Sequence, residues 1–405
     1  MYFRPMKILF ISWDSDQTNY LENLFFPIFK GLQDRMECQF YVLQFSWADP
    51  TEVERISILA RQLTIVYQHH LVWRKPHPVI GSFLTTKRAV KVIKNLIEKI
   101  EITHVMPRST MPAIMVNPLL TWLKKRDVKL IFDADGFPLQ ERIDYSGLNK
   151  NSFQYKYLKK AETKILKHSN IVLVRTFLSI NIHLKTIGLR YRVKFFKVSN
   201  GRNEDFFKPD LVLREKIRKE LSIPSSSMLW LYSGSVGPQY LLSEMLNLFE
   251  NYHNQNKDSK FLFLVRDKSA VAQAIPDHLK SSIVIKSVDF SLIPGYYAAA
   301  DLGVSLRKTA SSLSGISPIK VGEYLLSGLP LLLSRGIGDL ENTVGHEDFC
   351  FMHPVLDEEK FNKWLAELKH ISKVSIREKA VACFALENSL KEYETAILAS
   401  NSIVD

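Results

Sequence analysis

The sequence predicts an α/β protein made of two doubly wound, Rossmann-like domains, each built on a parallel sheet. Three observations carry this reading. Short apolar runs alternate with helical patterns through both halves of the chain, as repeated βαβ units require. A chain of 405 residues is long enough for two domains, each with an ample core. Between the two series, Ser199-Asn200-Gly201-Arg202-Asn203-Glu204-Asp205-Phe206 holds a turn signal at Asn200-Gly201, and no periodic pattern crosses it. The expected division is 1–199, 200–385 and a helical tail at 386–405.

In the first half the apolar runs Lys7–Ser12, Cys38–Leu43, His104–Met106, Lys129–Phe132 and Ile171–Val174 read as strands, with Val193–Val198 leading out of the domain. Helical spacing places helices at Leu21–Leu32, Glu52–Leu63, Lys87–Ile100, Met115–Lys125 and Phe153–His168. In the second half, strands are expected at Leu229–Ser233, Phe261–Val265, Ile283–Lys286, Leu302–Ser305 and Leu331–Ser334. Helices are expected at Leu241–Asn254, Ala270–Ala274, Pro294–Ala300, Ser317–Leu326 and Glu358–His370, and a last one at Ser389–Leu398. His69, His70 and His77 fall in a Pro-bearing stretch that reads as loop.

Composition narrows the function. No apolar run approaches the length of a membrane span. The start, Met1-Tyr2-Phe3-Arg4-Pro5, is expected to lead straight into a strand and does not read as a signal peptide. Cys38, Cys350 and Cys383 are odd in number and far apart, which suits reduced cytoplasmic thiols better than a disulfide framework or a zinc site. Charge is unevenly placed. Residues 1–200 hold 31 Lys+Arg against 16 Asp+Glu, and residues 201–405 hold 23 against 26. The first half alone therefore favours an anionic partner. Lys87, Lys91 and Lys94 form one helical stripe, and Lys156, Lys160, Lys164 and Lys167 form another. Apolar Val90, Val92, Ile93, Leu96 and Ile97 lie among or beside the first stripe. An anionic membrane surface fits this pattern. Nucleic acid does not, because no binding motif or basic-aromatic stripe is present.

The stretch richest in chemistry is Ser317-Pro318-Ile319-Lys320-Val321-Gly322-Glu323-Tyr324-Leu325-Leu326-Ser327-Gly328-Leu329-Pro330-Leu331-Leu332-Leu333. Ser317 suits an N-cap and Pro318 the first helical position. Gly328 can close the helix in the left-handed region, and the following apolar run reads as a strand buried on both faces. Lys320 and Glu323 share one helix face near its positive end. A cation and the helix dipole attract phosphate, while a carboxylate accepts hydrogen bonds from a sugar diol.

This segment resembles the nucleotide-sugar site of GT-B glycosyltransferases, close to the retaining enzymes of family 4, whose pattern is roughly S-P-x-K-x-x-E-Y-x-x-x-G-x-P. The resemblance implies that Glu323 binds the nucleotide ribose and that Lys320 lies near the phosphates. It implies a deep cleft between two Rossmann-like domains, with donor on the second and acceptor on the first, and a C-terminal helix crossing back to the first. The loop Ser233-Gly234-Ser235-Val236-Gly237-Pro238 follows a strand, and Gly234 and Gly237 allow the backbone to approach a phosphate. Ser235 and Tyr240 stand where many family members carry diphosphate-binding cations, so Arg266 and Arg307 become candidate replacements. Gly315 stands where the family carries a Glu facing the donor sugar, leaving Ser314, Gly315 and Ile316 as donor-side loop candidates.

In the first half, Asp14 follows the first strand, Arg108 follows His104–Met106, and Asp133 and Asp135 follow Lys129–Phe132. All four are acceptor-side candidates, and Arg108 joins Lys320 and Arg307 as a candidate catalytic cation. Asp133 and Asp135 could suit a metal, but no third ligand is evident, and the resemblance implies no metal or cofactor. The expected activity is transfer of a sugar from a nucleotide diphosphate sugar to a hydroxyl of a glycan or lipid-linked acceptor, with retention. The expected setting is bacterial surface-polysaccharide synthesis at the inner face of the plasma membrane. A nucleotide-sugar epimerase of the same fold and a non-catalytic nucleotide-binding subunit are the alternatives.

Overall fold

The computed structural model describes residues 5–16 and 19–402. Met1–Arg4, part of the start read above as no signal peptide, and the last three residues of the C-terminal stretch lie outside the described residues. The chain divides into two compact units, one of residues 1–200, 314–316 and 389–405, the other of 201–313 and 317–388.

The first unit holds seven parallel strands: β1 (Met6–Trp13), β2 (Cys38–Ser46), β3 (Val66–Leu71), β4 (His104–Pro107), β5 (Lys129–Asp133), β6 (Ile171–Val174) and β7 (Phe195–Lys197). Their order is β3-β2-β1-β4-β5-β6-β7. Phe10 pairs in register with Val42 on one side and Met106 on the other. The middle of the sheet is apolar on both faces because helices cover both: Ile8, Leu9, Phe10 and Ile11 are all fully buried. The chain order reverses between β1 and β4, and ligands of open α/β sheets bind at the carboxyl edge of such a switch point.

The second unit repeats the plan with β8 (Leu229–Ser233), β9 (Lys260–Leu264), β10 (Ile283–Lys286), β11 (Leu302–Ser305), β12 (Leu331–Ser334) and β13 (Cys350–His353), in the order β10-β9-β8-β11-β12-β13. Its switch point lies between β8 and β11. Trp230 of β8 anchors one side of the core, edge-on to Phe249 and Phe261 at centroid distances of 5.7 and 5.8 Å.

Several expectations are corrected. Val66–Leu71 is an edge strand that carries His69 and His70, so these are not loop residues. The helix expected from Lys87 starts at Pro78, after His77, whose Nδ1 accepts from the Val79 N–H at 3.3 Å. Val193–Val198 does hold a strand, β7, the last of the first sheet before the first unit ends at Asn200. Val90, Val92, Ile93, Leu96 and Ile97, beside the first lysine stripe, pack on the first core. β13 and the helices Pro138–Ser146, Phe177–Ile187, Leu211–Glu220 and Lys373–Phe384 were not anticipated.

The last helix spans Leu386–Ala399. From Ser389 onward it belongs to the first unit. Ser389 Oγ donates to the Ser199 carbonyl (2.7 Å), and Glu392 accepts from the Ser199 N–H (2.5 Å) and Lys197 Nζ (2.8 Å).

Candidate active site

In the second unit the candidate donor residues gather where the chain leaves β8 and β11. Ser233 ends β8, and Gly234 follows with φ of +154°, outside the range that side-chain-bearing residues favour. The loop returns to Tyr240, which forms an isolated antiparallel bridge with Arg307, two residues beyond β11. The Arg307 guanidinium lies 4.9 Å from the Tyr240 ring centroid and donates to the Tyr240 hydroxyl at 3.3 Å. The backbone of Arg307 is tied to Ser334 Oγ at the end of β12, 2.9 Å away. The position that lacks a cation in the sequence thus has one laid over it from the neighbouring strand. Arg266 is exposed beyond β9.

The helix expected from Ser317 starts two residues later, at Ile319. Pro318 is its N-cap with extended backbone (φ −69°, ψ 121°), and no side chain caps it, which corrects both the Ser317 cap and the Pro318 first-turn assignment. Gly328 does close this segment with φ of +72°. Lys320 and Glu323 do share a face: Lys320 Nζ is 2.8 Å from Glu323 Oε2.

Glu323 itself departs from the sequence reading. It is 1% exposed. Its Oε1 pairs with Arg202 Nη2 at 2.8 Å, and its Oε2 is shared by Lys320 and by the Tyr297 hydroxyl at 3.0 Å. Burial pushes its carboxyl upward, but Lys320 and Arg202 outweigh this and hold it below the ordinary carboxylate range. A carboxylate so enclosed, with partners on both oxygens, is a structural anchor. The anchor joins the site elements together: the Tyr297 hydroxyl is also 3.0 Å from Ser233 Oγ, and the Tyr324 hydroxyl accepts from the Ser233 N–H at 2.7 Å. Tyr297 and Tyr324 are in edge contact, with centroids 5.0 Å apart. One buried network therefore fixes the end of β8 against the start of the Lys320 helix.

In the first unit a second buried network stands at the carboxyl edge. Asp133 ends β5 and is 0% exposed. Its Oδ2 pairs with Arg175 Nη2 at 2.7 Å, and its Oδ1 accepts the Asp135 N–H at 3.1 Å. Asp135 sits in the left-handed region (φ +61°) and pairs through Oδ2 with Arg108 Nη2 at 2.7 Å. The Arg108 guanidinium lies 4.9 Å from the Phe25 ring centroid. Asp133 is thus corrected from an acceptor contact to a buried support, while the Asp135 side chain is 34% exposed and that of Arg108 11%. Asp14 is also buried, accepting from Ser12 Oγ (2.7 Å) and Gln44 Nε2 (2.9 Å), which removes it as an open acceptor contact. Among the described residues no group of three or more His, Cys, Asp or Glu side chains is arranged to hold a metal ion.

Ser314, Gly315 and Ile316 group with the first unit, whereas Gly234, Ser235, Gly237, Arg266, Arg307, Ser317, Lys320 and Glu323 lie in the second. A Cβ at Gly315 would fall 2.5 Å from Phe137 Cδ2, so the backbone takes a path that leaves no room for a side chain there. Sequence reasoning missed Arg175, Arg202 and Tyr297. Arg175 follows β6 directly, as Arg108 and Arg307 follow their own strands, and that shared position was the available signal.

No protein-family model and no curated protein matches the chain. Solved structures do. It is similar to HepE of Anabaena, solved with UDP, at 13% identity and a TM-score of 0.69, covering 97% of this chain and 100% of that one. It is similar to sucrose-phosphate synthase of Thermosynechococcus elongatus at 14% identity and a TM-score of 0.70, covering 98% and 100%. UDP-GlcNAc 2-epimerase of Neisseria meningitidis, bound to UDP-GlcNAc, is similar at 12% identity and a TM-score of 0.60, covering 97% and 100%. Likeness at these identities speaks for architecture: the chain has the GT-B fold of two Rossmann-like, parallel-sheet domains.

Proposed function

We propose that the protein is a glycosyltransferase that takes a sugar from a nucleoside diphosphate sugar and joins it to a hydroxyl of a glycan or lipid-linked acceptor. The observation that carries this is the cation placement at the second switch point: Arg307 over Tyr240 beside the Gly234 loop, and Lys320 at the start of its helix. The bond from the anomeric carbon to the diphosphate breaks, a bond to the acceptor oxygen forms, and the acceptor proton and the nucleoside diphosphate leave. Negative charge grows on the departing diphosphate, and preorganised cations with a helix N-terminus stabilise it most where it grows. The family resemblance adds retention of configuration. HepE has also been solved with UDP-glucose, which makes that sugar nucleotide the first donor to try.

Recognition of the ribose then falls to groups other than Glu323, whose oxygens are already engaged. Arg108 and Asp135 are the acceptor-side candidates. A basic first unit suits an acceptor held at an anionic membrane, in bacterial surface-polysaccharide synthesis. Lys156, Lys160 and Lys164 are exposed along the helix Phe153–His168 in support of that setting.

The test is release of free nucleoside diphosphate from a panel of nucleotide sugars, with and without lipid-linked acceptor. Acceptor-dependent release supports transfer. Interconversion of the nucleotide sugar without acceptor supports an epimerase, and binding without turnover supports a non-catalytic subunit. Lys320→Ala and Arg307→Ala should each weaken binding of the nucleoside diphosphate by about ten- to hundredfold, the range for losing a hydrogen bond to a charged group. Calorimetric titration reads this, and unchanged affinity in both variants removes the diphosphate role. Turnover should also survive EDTA. The carboxylates that invited a metal, Asp133 and Asp135, are committed to Arg175 and Arg108, and phosphate charge has Lys320 and Arg307. Loss of turnover in EDTA, restored by magnesium or manganese, would overturn this.

A further inference from the structure

The helix Pro78–Ile100 presents an outward face of two kinds. Its first turns expose Val79, Ile80, Phe83 and Leu84, and Trp73 stands exposed in the segment just before it; these five are 40–56% exposed. Further along, the same outward face carries Lys87 and Lys91. An amphipathic helix normally turns its apolar side inward. Here the inward side is already supplied by Ala89, Ile93 and Ile97, so the outer residues are surplus to the core. Isolated exposed apolar residues need no explanation, but a contiguous group flanked by cations marks an interaction surface.

The patch is rigidly held. A Cβ at Gly81 would lie 2.2 Å from the Trp73 carbonyl oxygen, so the missing side chain lets the helix backbone press against the Trp73 segment. Thr85 Oγ1 accepts the Trp73 N–H at 3.0 Å. Cations are laid on the rings themselves, with Lys87 Nζ 4.6 Å from the Phe83 centroid and the Arg88 guanidinium 5.5 Å from that of Trp73. Residues 71–97 carry Arg74, Lys75, Lys87, Arg88, Lys91 and Lys94 and no carboxylate.

We propose that this face, Trp73 with Ile80, Phe83 and Leu84, inserts into the headgroup layer of an anionic bilayer. Apolar side chains above a ring of cations, with no acidic residue among them, match a surface that is negative outside and apolar beneath. A folded protein partner would ordinarily present carboxylates at some points and cations at others, and an all-cationic rim selects against it. The inference deepens the membrane setting proposed above by naming the face that inserts, and its test stands apart from the transferase reading because the measurement needs no sugar nucleotide.

The full chain should co-sediment with mixed phosphatidylcholine–phosphatidylglycerol vesicles and far less with phosphatidylcholine alone. The triple variant Ile80→Ser, Phe83→Ser, Leu84→Ser should lose about tenfold or more in partitioning, since burial of these side chains supplies the apolar part of the binding. Its melting temperature should stay near that of the wild type, because the replaced side chains are exposed. Quenching of tryptophan emission by brominated lipid in the anionic vesicles should drop sharply in Trp73→Phe. Equal partitioning of wild type and triple variant overturns the proposal, as does the absence of binding to either vesicle. A wild-type dimer in sedimentation velocity that dissociates in the triple variant would assign the face to a second copy instead, and would also overturn it.

Discussion

Glu323→Ala should destabilise the second unit by about 3–5 kcal/mol, the cost of leaving one member of a buried ion pair without its partner. The Arg202 side chain is 4% exposed and its guanidinium meets Glu323 Oε1 at 2.8 Å. Lys320 and Tyr297 lose their shared acceptor at the same time. For a unit of this size the melting transition should fall by about 6–20 °C. A variant of the ribose-binding kind would instead lose donor affinity while keeping its fold, so the two roles separate cleanly. Thermal unfolding with a parallel titration decides between them: a wild-type melting curve with abolished donor binding would show that the carboxylate serves the ligand. Replacing Arg202 and Glu323 together by Met and Leu should cost less than Glu323→Ala alone, because no buried charge is then stranded. The pH dependence follows. Glu323 titrates below its unfolded value, so its contribution is present above the ordinary carboxylate range and fades as pH falls through the lower folded value. The deficit of Glu323→Ala should therefore narrow in acid.

That reassignment shows where sequence stops being sufficient. Leu229–Ser233, Leu302–Ser305 and Leu331–Ser334 were legible to the residue, because a parallel strand buried on both faces is an unbroken apolar run with turn residues at its ends. Val66–Leu71 was not: it is an edge strand whose outer positions face solvent, and Tyr67, Gln68, His69 and His70 look polar from sequence. The early start of the helix at Pro78 was hidden by Gly81, Thr85 and Thr86, which resemble loop residues but serve close backbone approach and hydrogen bonds. That same misreading hid the exposed apolar face of the helix. Lys320 and Glu323 were found together because their spacing of three is local. Arg202 and Arg175 were missed because each meets its carboxylate only through the tertiary fold, where separation along the chain carries no signal.

Asp133→Ala should have a comparably large effect in the first unit, about 3–5 kcal/mol, for the same physical reason on a different scaffold. The Arg175 side chain is 2% exposed, with Asp133 Oδ2 2.7 Å away, and Arg108 Nε lies 3.9 Å from the same oxygen. Removing the carboxylate strands one fully buried cation and loosens a second. The damage extends to the surface, because Asp133 Oδ1 holds the Asp135 N–H and so helps keep Asp135 in its left-handed conformation against Arg108. Asp135→Ala is the informative contrast. Asp135 is about one-third exposed and Arg108, 11% exposed, keeps Asp133 within 3.9 Å, so stability should fall less than in Asp133→Ala. If Arg108 and Asp135 contact the acceptor, Asp135→Ala should raise KM for the acceptor while shifting the melting curve less than Asp133→Ala does. Asp133→Ala should lower both stability and acceptor-dependent turnover. Asp133→Asn, which keeps the shape and loses the charge, should fall between wild type and Ala in stability. Melting curves for the three variants, read beside acceptor titrations, test the division of labour. A stable Asp133→Ala protein would mean that Arg175 finds water or another acceptor, and the buried support would then lie elsewhere in the sheet edge. Because Asp133 and Glu323 share no partner and lie in different units, Asp133→Ala and Glu323→Ala should not couple: each unit's unfolding should shift in the double variant as it does in the single one.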